Sequence, residues 1–333
     1  MSVVGRDGAP FVPPARPGIQ SRLWRQITRR LLPFMAKPTL PPEVRRRRMD
    51  RLIGAVPLPR GTRVTPVQAG GVPAEWIVPP GVETDAVLLY LHGGGYAAGS
   101  LATHRLTAEQ LAQAAGVRAL LPAYRLAPEH RFPAAVDDAL AAYRWLLEEH
   151  GANPARVVVA GDSAGGGLTI ALAVAARDAG LPLPAALVCI SPWTDLAGTG
   201  ASMRTKAGID PCFRPEDLRL QTREYLGDAD PMQPLASPLY ADLRGLPPLL
   251  AQVGEDELLL DDARRLVERA QAAGVDATLE VWPGLWHIFA LQGTFPESRQ
   301  AMQRLGSFLS HQLAARMAAI PAPQARAEKT ATG

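Results

Sequence analysis

Residues 157–167 read VVVAGDSAGGG, and this stretch constrains the chain more than any other. Val157 to Ala160 are small and apolar, as in a buried strand, whereas Leu168 to Ala176 (LTIALAVAA) has the all-round apolarity of a buried helix. The turn between them falls within Gly161–Gly165, and its pattern is Gly-x-Ser-x-Gly. So sharp a strand-to-helix turn leaves no room for side chains two residues either side of its apex, which is why glycine is wanted at 161 and 165. Ser163 is thereby pushed out above the sheet, at the positive end of the following helix. On its own the pattern is weak, because an ordinary strand–helix turn is often written with the same common residues. Its weight comes from what the rest of the chain places beside it.

Strand and helix signals alternate along most of the sequence. Thr62–Ala69 and Ala74–Val78 read as an antiparallel pair at one sheet edge. Further strands are predicted over 86–91, 118–122, 157–160, 185–191, 248–253 and 278–282. Helices are predicted over 103–115, 134–149, 261–273 and 296–317. Repeated β-then-α units imply an α/β protein with a mostly parallel central sheet covered by helices on both faces. In such a sheet the ligand site lies beyond the carboxyl ends of the strands. The interval near 197–236 breaks the rhythm and reads as helices, an excursion placed above those ends.

Charge is unevenly distributed. Residues 1–60 hold 13 Lys/Arg against 3 Asp/Glu, although the whole chain carries only +3. Such a basic head suits nucleic acid or an anionic membrane surface. It also carries apolar residues at helical spacing, Leu23, Ile27 and Leu31, then Val44, Leu52 and Ile53, which favour docking onto the main domain. Arginines 45–48 are then expected to form a mostly solvated face. The expected organisation is an N-terminal helical cap over 1–60, a catalytic domain over 61–317 with a cap insertion at about 197–236, and a disordered tail over 318–333. The longest apolar runs stop far short of the roughly 18–20 residues that cross a bilayer. No export signal is recognised near the N-terminus, so the sequence predicts a cytoplasmic protein without a stable membrane anchor. Cys189 and Cys212 offer neither a disulfide framework nor metal spacing, and no metal or organic cofactor is called for.

Three further segments keep company with Ser163. Directly after the strand AVLLYL comes His92-Gly93-Gly94-Gly95-Tyr96, where consecutive glycines leave backbone N–H groups unscreened. A glycine run is often only a flexible turn, yet here it sits where an oxyanion needs donors, with the amide of Ala164 supplying another. His92 is read as ordering that loop rather than moving protons. The strand LPPLLAQV ends at Gly254-Glu255-Asp256-Glu257, which puts a carboxylate at a strand's carboxyl end. Asp261 and Asp262 belong to the start of the next helix, where acidic residues are favourable and unremarkable. Strand TLEVW runs into Pro283-Gly284-Leu285-Trp286-His287 and delivers an imidazole to the same rim. The histidines 104, 130, 150 and 311 lack strand-end placement. Nucleophile, acid and histidine then follow one another in the order of an α/β-hydrolase triad.

HGGG at 92–95, YRLAPEHRFPAA at 124–135, GDSAGG at 161–166, the DxL segment at 256–258 and the late histidine together resemble the hormone-sensitive-lipase-like branch of the α/β-hydrolases, the bacterial family IV carboxylesterases. The similarity spans roughly residues 62–315. It implies Ser163 as nucleophile, Asp256 and His287 as its partners, amides of Gly93, Gly94, Gly95 and Ala164 as oxyanion hole, and an N-terminal helical cap. Three departures concern loop geometry and pocket shape. Ala123 stands where many relatives carry aspartate, Ile288 where many have glycine, and the acid segment reads DELLLDD in place of DPLRDE.

The expected activity is hydrolysis of small esters with short to medium acyl chains, through an acyl-enzyme. Leu23, Trp24, Phe34 and Met35 are candidates to roof the substrate pocket, and Trp193 and Tyr96 to line it, although core packing accounts for such residues equally well. Lactonase, amidase and acyltransferase chemistry use the same residues. A non-catalytic small-molecule receptor on this scaffold is the alternative of another class, and the retained His287 speaks against it. Besides the ester, the expected partners include no nucleic acid; a homodimer is possible through the edge at 278–282.

Overall fold

The computed structural model describes residue 13 and residues 16–36, 39–293 and 295–318. The expected disordered tail over 318–333 lies almost wholly outside the described residues. Eight strands form one sheet: β1 (Arg63–Ala69), β2 (Val72–Val78), β3 (Val87–Leu91), β4 (Arg118–Pro122), β5 (Val157–Asp162), β6 (Ala186–Ile190), β7 (Leu249–Gly254) and β8 (Ala277–Trp282), in the order β1-β2-β4-β3-β5-β6-β7-β8. β1 and β2 pair antiparallel with each other, β2 pairs antiparallel with β4, and all remaining pairs are parallel. The antiparallel pair at one edge and the parallel remainder are as the sequence predicts.

Alternation along the strands divides the core in two. Leu89, Leu120, Val159, Leu187 and Ala251 face helices α4 (Ala134–Glu148), α5 (Ala164–Asp178) and α8 (Leu260–Ala272). Leu88, Ala119, Val158, Val188 and Leu250 face the opposite side, against α3 (Leu101–Ala115) and α9 (Pro296–Ala318). A sheet covered on both faces needs apolar residues in both phases of a strand, which is why β3, β5, β6 and β7 read as continuous apolar runs. The chain runs from β3 outward to β4, then returns to place β5 on the other side of β3. The reversal opens a crevice at the carboxyl ends of β3 and β5, where HGGG and Ser163 stand.

The head forms two helices, α1 (Ile19–Ala36) and α2 (Pro42–Leu52). They pack on each other, α1 also on α9 and α2 also on α3. The expectation of a mostly solvated arginine face over 45–48 holds for the exposed Arg47 and is corrected for Arg45 and Arg46. Arg45 is buried and paired with Glu224 at 2.7 Å, while Arg46 reaches Glu129 with both Nη atoms and the carbonyls of Ala97 and Ala127. Carbonyls and carboxylates of the main body capture these guanidinium groups, which helical periodicity alone does not reveal. The 197–236 stretch holds α6 (Ser202–Thr205) and α7 (Pro215–Leu226), helical as expected. Among the described residues, no helix is long and apolar enough to cross a membrane.

Candidate active site

The turn after β5 is as tight as its glycines imply. A Cβ on Gly161 would run into the backbone of Gly165, and one on Gly165 into the carbonyl oxygen of Leu91. Ser163 itself takes φ +53° and ψ −120°, a region costly for a residue with a Cβ. The surroundings hold it there: its N–H donates to Ile190 O at 2.8 Å, and its carbonyl accepts from Gly167 N and Trp193 N at 3.1 and 2.9 Å. α5 begins at the very next residue, earlier than the apolar run from Leu168 suggests, so the N–H of Ala164 belongs to the first turn and has no partner within the helix.

His287 meets Ser163 across the rim, with Nε2 3.0 Å from Oγ. Its other nitrogen, Nδ1, lies 2.9 Å from Oε2 of Glu257, and both side chains are buried. The expectation that Asp256 partners His287 is therefore corrected: the carboxylate behind the imidazole is that of Glu257. Gly254 N and Ser191 Oγ donate to the other oxygen of Glu257 at 2.6 and 2.7 Å, and Ser191 Oγ in turn accepts from Ile288 N at 3.0 Å. Asp256 points the other way, to Arg25 at 2.6 Å and Lys206 at 3.4 Å. Three adjacent carboxylates left the sequence without a local signal for the choice, since whichever is turned inward is decided by what the neighbouring loops offer.

Burial opposes a charged imidazole at His287, but the hydrogen bond and negative charge of Glu257 outweigh it, with Asp210 and Asp162 adding to the same side, and the pKa moves up. Asp210, from the 197–236 excursion, accepts from Leu258 N and Cys212 N. Burial, only partly opposed by His287, raises its carboxyl pKa to about 6. The ring of Phe213 meets that of His287 edge-on at 5.1 Å. Neither Asp210 nor Phe213 was singled out from the sequence, because nothing in the excursion marks which residues turn toward the strand ends.

Of the expected oxyanion donors, Gly93 is removed: its N–H donates to Asp162 Oδ1 at 3.0 Å. The same carboxylate accepts from the Tyr90 hydroxyl at 2.8 Å, and Oδ2 lies 3.7 Å from Nε2 of His104. Asp162 thus ties the loop after β3 to the residue next to the nucleophile, a role the reading of GDSAG as a turn motif missed. Burial favours its neutral form, but His104, Tyr90 and His92 outweigh that and its pKa falls. Gly94 and Gly95 follow with φ +118° and +63°, values that suit glycine alone or nearly so. His92 orders the loop, with Nδ1 2.8 Å from Gly93 O and its ring stacked on Tyr124 at 4.2 Å. Burial and the adjacent His104 lower its pKa to about 3, so it is neutral at physiological pH.

The pocket candidates separate. Tyr96 is buried, stacked at 3.8 Å on Tyr225 of α7 and tilted against the buried Trp193 at 6.3 Å. Leu23 is 62% exposed on α1, which corrects its expected place over the pocket. Leu23 falls on the outer side of a helix whose inner side carries Ser21 and Arg25, both bonded to the main body. The side chains of Phe34 and Met35 lie outside the described residues. The amide of Gln221 occupies the space a Cβ on Gly95 would fill, so α7 covers the glycine loop. Among the described residues, no three or more His, Cys, Asp or Glu side chains are grouped to hold a metal ion.

The mostly parallel sheet, the strained serine at the end of β5 and the histidine after β8 define an α/β-hydrolase. A family profile described as the alpha/beta hydrolase fold matches residues 88–291. An acetyl-hydrolase of Streptomyces hygroscopicus is 49% identical over 263 residues, 79% of this chain and 86% of that one. An esterase of Acinetobacter venetianus is 34% identical over 271 residues, 81% of this chain and 89% of that one. The crystal structure of an esterase from the bacterial hormone-sensitive lipase family superposes with TM-score 0.85 at 48% identity, covering 90% of this chain and 99% of that one. The chain belongs to the hormone-sensitive-lipase-like family of α/β-hydrolases, and it is a carboxylic-ester hydrolase.

Proposed function

We propose that ester hydrolysis proceeds through an acyl-enzyme on Ser163, with His287 as general base and Glu257, not Asp256, as the acid of the triad. The observation that carries this reading is the unbroken chain from Ser163 Oγ through His287 to Glu257, at 3.0 and 2.9 Å. His287 Nε2 takes the hydroxyl proton as Oγ attacks the ester carbonyl, then gives it to the leaving alcohol; water repeats the sequence on the acyl-enzyme. Glu257 holds the imidazole in the tautomer that presents a bare Nε2 and stabilises the cation that forms. The amides of Gly94, Gly95 and Ala164 stabilise the oxyanion, each donor contributing about 2.7–4 kcal/mol.

The substrates are esters with short to medium acyl chains. Two things support this limit. The Tyr96–Tyr225 stack with Trp193 fills the space beside the glycine loop with fixed aromatic rings, and the Streptomyces relative is named an acetyl-hydrolase, after a two-carbon acyl group. The N-terminal helices and the 197–236 excursion act together as a cap over the strand ends. A series of p-nitrophenyl esters from acetate to palmitate, read against Ser163→Ala, tests the proposal. The expected result is a maximum among the shorter chains and a loss of at least about 10⁴-fold in kcat for the variant. Turnover by Ser163→Ala near that of the parent overturns it.

A further inference from the structure

One guanidinium joins parts of the chain that are distant in sequence and meet beside the triad. Arg25, on the inner side of α1, donates from Nη1 to Asp256 Oδ2 at 2.6 Å and to Gly284 O at 3.0 Å, and from Nη2 to Ile209 O at 2.7 Å. Asp256 immediately precedes Glu257, Gly284 stands three residues before His287, and Ile209 immediately precedes Asp210. A single side chain thus grips the acid loop, the histidine loop and the excursion. A second contact from the same segment points the same way: Pro17 packs on Gly284, where a Cβ would press into its ring. The segment is itself anchored, with Gly18 N donating to Glu297 at 2.6 Å and Ser21 Oγ bonded to the same carboxylate.

We propose that Arg25 is a positioning residue, a clamp from the N-terminal helix that holds the acid and histidine loops at the separation where Glu257 reaches Nδ1 of His287. The proposal rests on the reading of Glu257 and His287 as triad partners. Asp256, which the family motif marks as the acid, serves here as the far end of the clamp. The ion pair is partly exposed, so its worth as an isolated bridge is small. What matters is geometry, since a planar fork with several donors can fix two loops and a carbonyl of the excursion at once where a single ammonium cannot. Backbone bonds register the two loops, from Glu255 N to Trp282 O and Asp256 N to Leu285 O, both at 2.9 Å, but these stop short of Glu257.

The sign of a pH shift separates positioning from simple electrostatics. The groups facing His287 are Glu257 from the acid loop, Asp210 and Cys212 from the excursion, and Asp162 from β5; those facing Asp256 are Arg25 and Lys206. Removing a nearby cation without moving anything would raise the pKa of His287. Loosening the Glu257–His287 bond would lower it, because that bond is the larger of the influences that lift it.

The experiment uses the full chain carrying Arg25→Met, which keeps the aliphatic stem and removes the fork, together with Arg25→Lys and, as a control on the same helix, Leu23→Ala. On p-nitrophenyl acetate, Arg25→Met is expected to lose at least about 10-fold in kcat with little change in KM. The acid limb of its kcat profile moves to lower pH, Arg25→Lys lies between it and the parent, and Leu23→Ala matches the parent. Parent-like kcat in Arg25→Met overturns the proposal, and so does an acid limb that stays in place or moves up. Should Arg25→Met fail to fold, Arg25→Lys carries the same test, and a parent-like limb and kcat there overturn it. Glu257→Gln measured alongside keeps the two readings apart. If it leaves kcat intact, the triad assignment fails; if it is crippled while Arg25→Met is not, only the clamp fails.

Discussion

The two corners of the catalytic rim are built in different ways. At the nucleophile corner, everything needed is contiguous: strand, Gly-Asp-Ser-Ala-Gly turn and helix follow within a dozen residues, and backbone sterics at Gly161 and Gly165 leave the chain one path. At the acid corner, Glu255, Asp256 and Glu257 stand side by side and each goes to a different partner. Glu255 accepts from Gly284 N, Asp256 pairs with Arg25 and Lys206, and Glu257 takes His287. Where the backbone is sterically confined, a motif specifies geometry. Where it is a loop of chemically equivalent side chains, remote partners choose among them.

The sharpest way to break this comparison is to exchange the roles the sequence could not tell apart. Glu257→Gln keeps shape and hydrogen bonding but favours the wrong imidazole tautomer, and a loss of about 10³–10⁴-fold in kcat is expected. Asp256→Asn, one residue away, is expected to cost far less, on the order of 10-fold. Equal losses in steady-state assays would erase the distinction. The parent's kcat/KM should rise with pH through the deprotonation of His287, with the acid limb above the ordinary histidine value because Glu257 raises that pKa; a limb below it would contradict the buried pairing.

Next in size is the nucleophile corner's own weak point. Asp162→Asn removes the charge that holds Gly93 N, Tyr90 and His104 together while sparing the turn. A loss of about 10–100-fold in kcat, with Ser163 still labelled by a fluorophosphonate, is expected if the loop donors slip from the oxyanion. Unchanged kcat would mean the glycine loop holds itself.

The smallest effect concerns His92. The folded chain keeps it neutral down to about pH 3, whereas an unfolded chain takes up a proton near its ordinary value of 6.5. Its contribution to stability is therefore complete above pH 6.5 and is lost as pH falls toward about 3. Comparing thermal midpoints, the parent should weaken more than His92→Asn between neutral and mildly acid pH, by at most about 2 kcal/mol at pH about 5. Parallel curves would place the titration elsewhere.

Much of this was legible in the amino-acid sequence. Period-two and all-apolar runs gave the eight strands their places, and glycine spacing located Ser163 and the loop at 92–95. Position at a strand's end singled out His287 among the histidines. Those inferences succeed because each depends on local sterics or on burial of one face, which neighbouring residues determine. Four things waited on the tertiary structure: which of three carboxylates faces the imidazole, that Gly93 gives its N–H to Asp162, that Arg45 and Arg46 turn inward, and that Leu23 turns outward. Each is a choice of direction for a side chain or an amide between partners tens or hundreds of residues away, and only the closed fold brings those partners within hydrogen-bond reach.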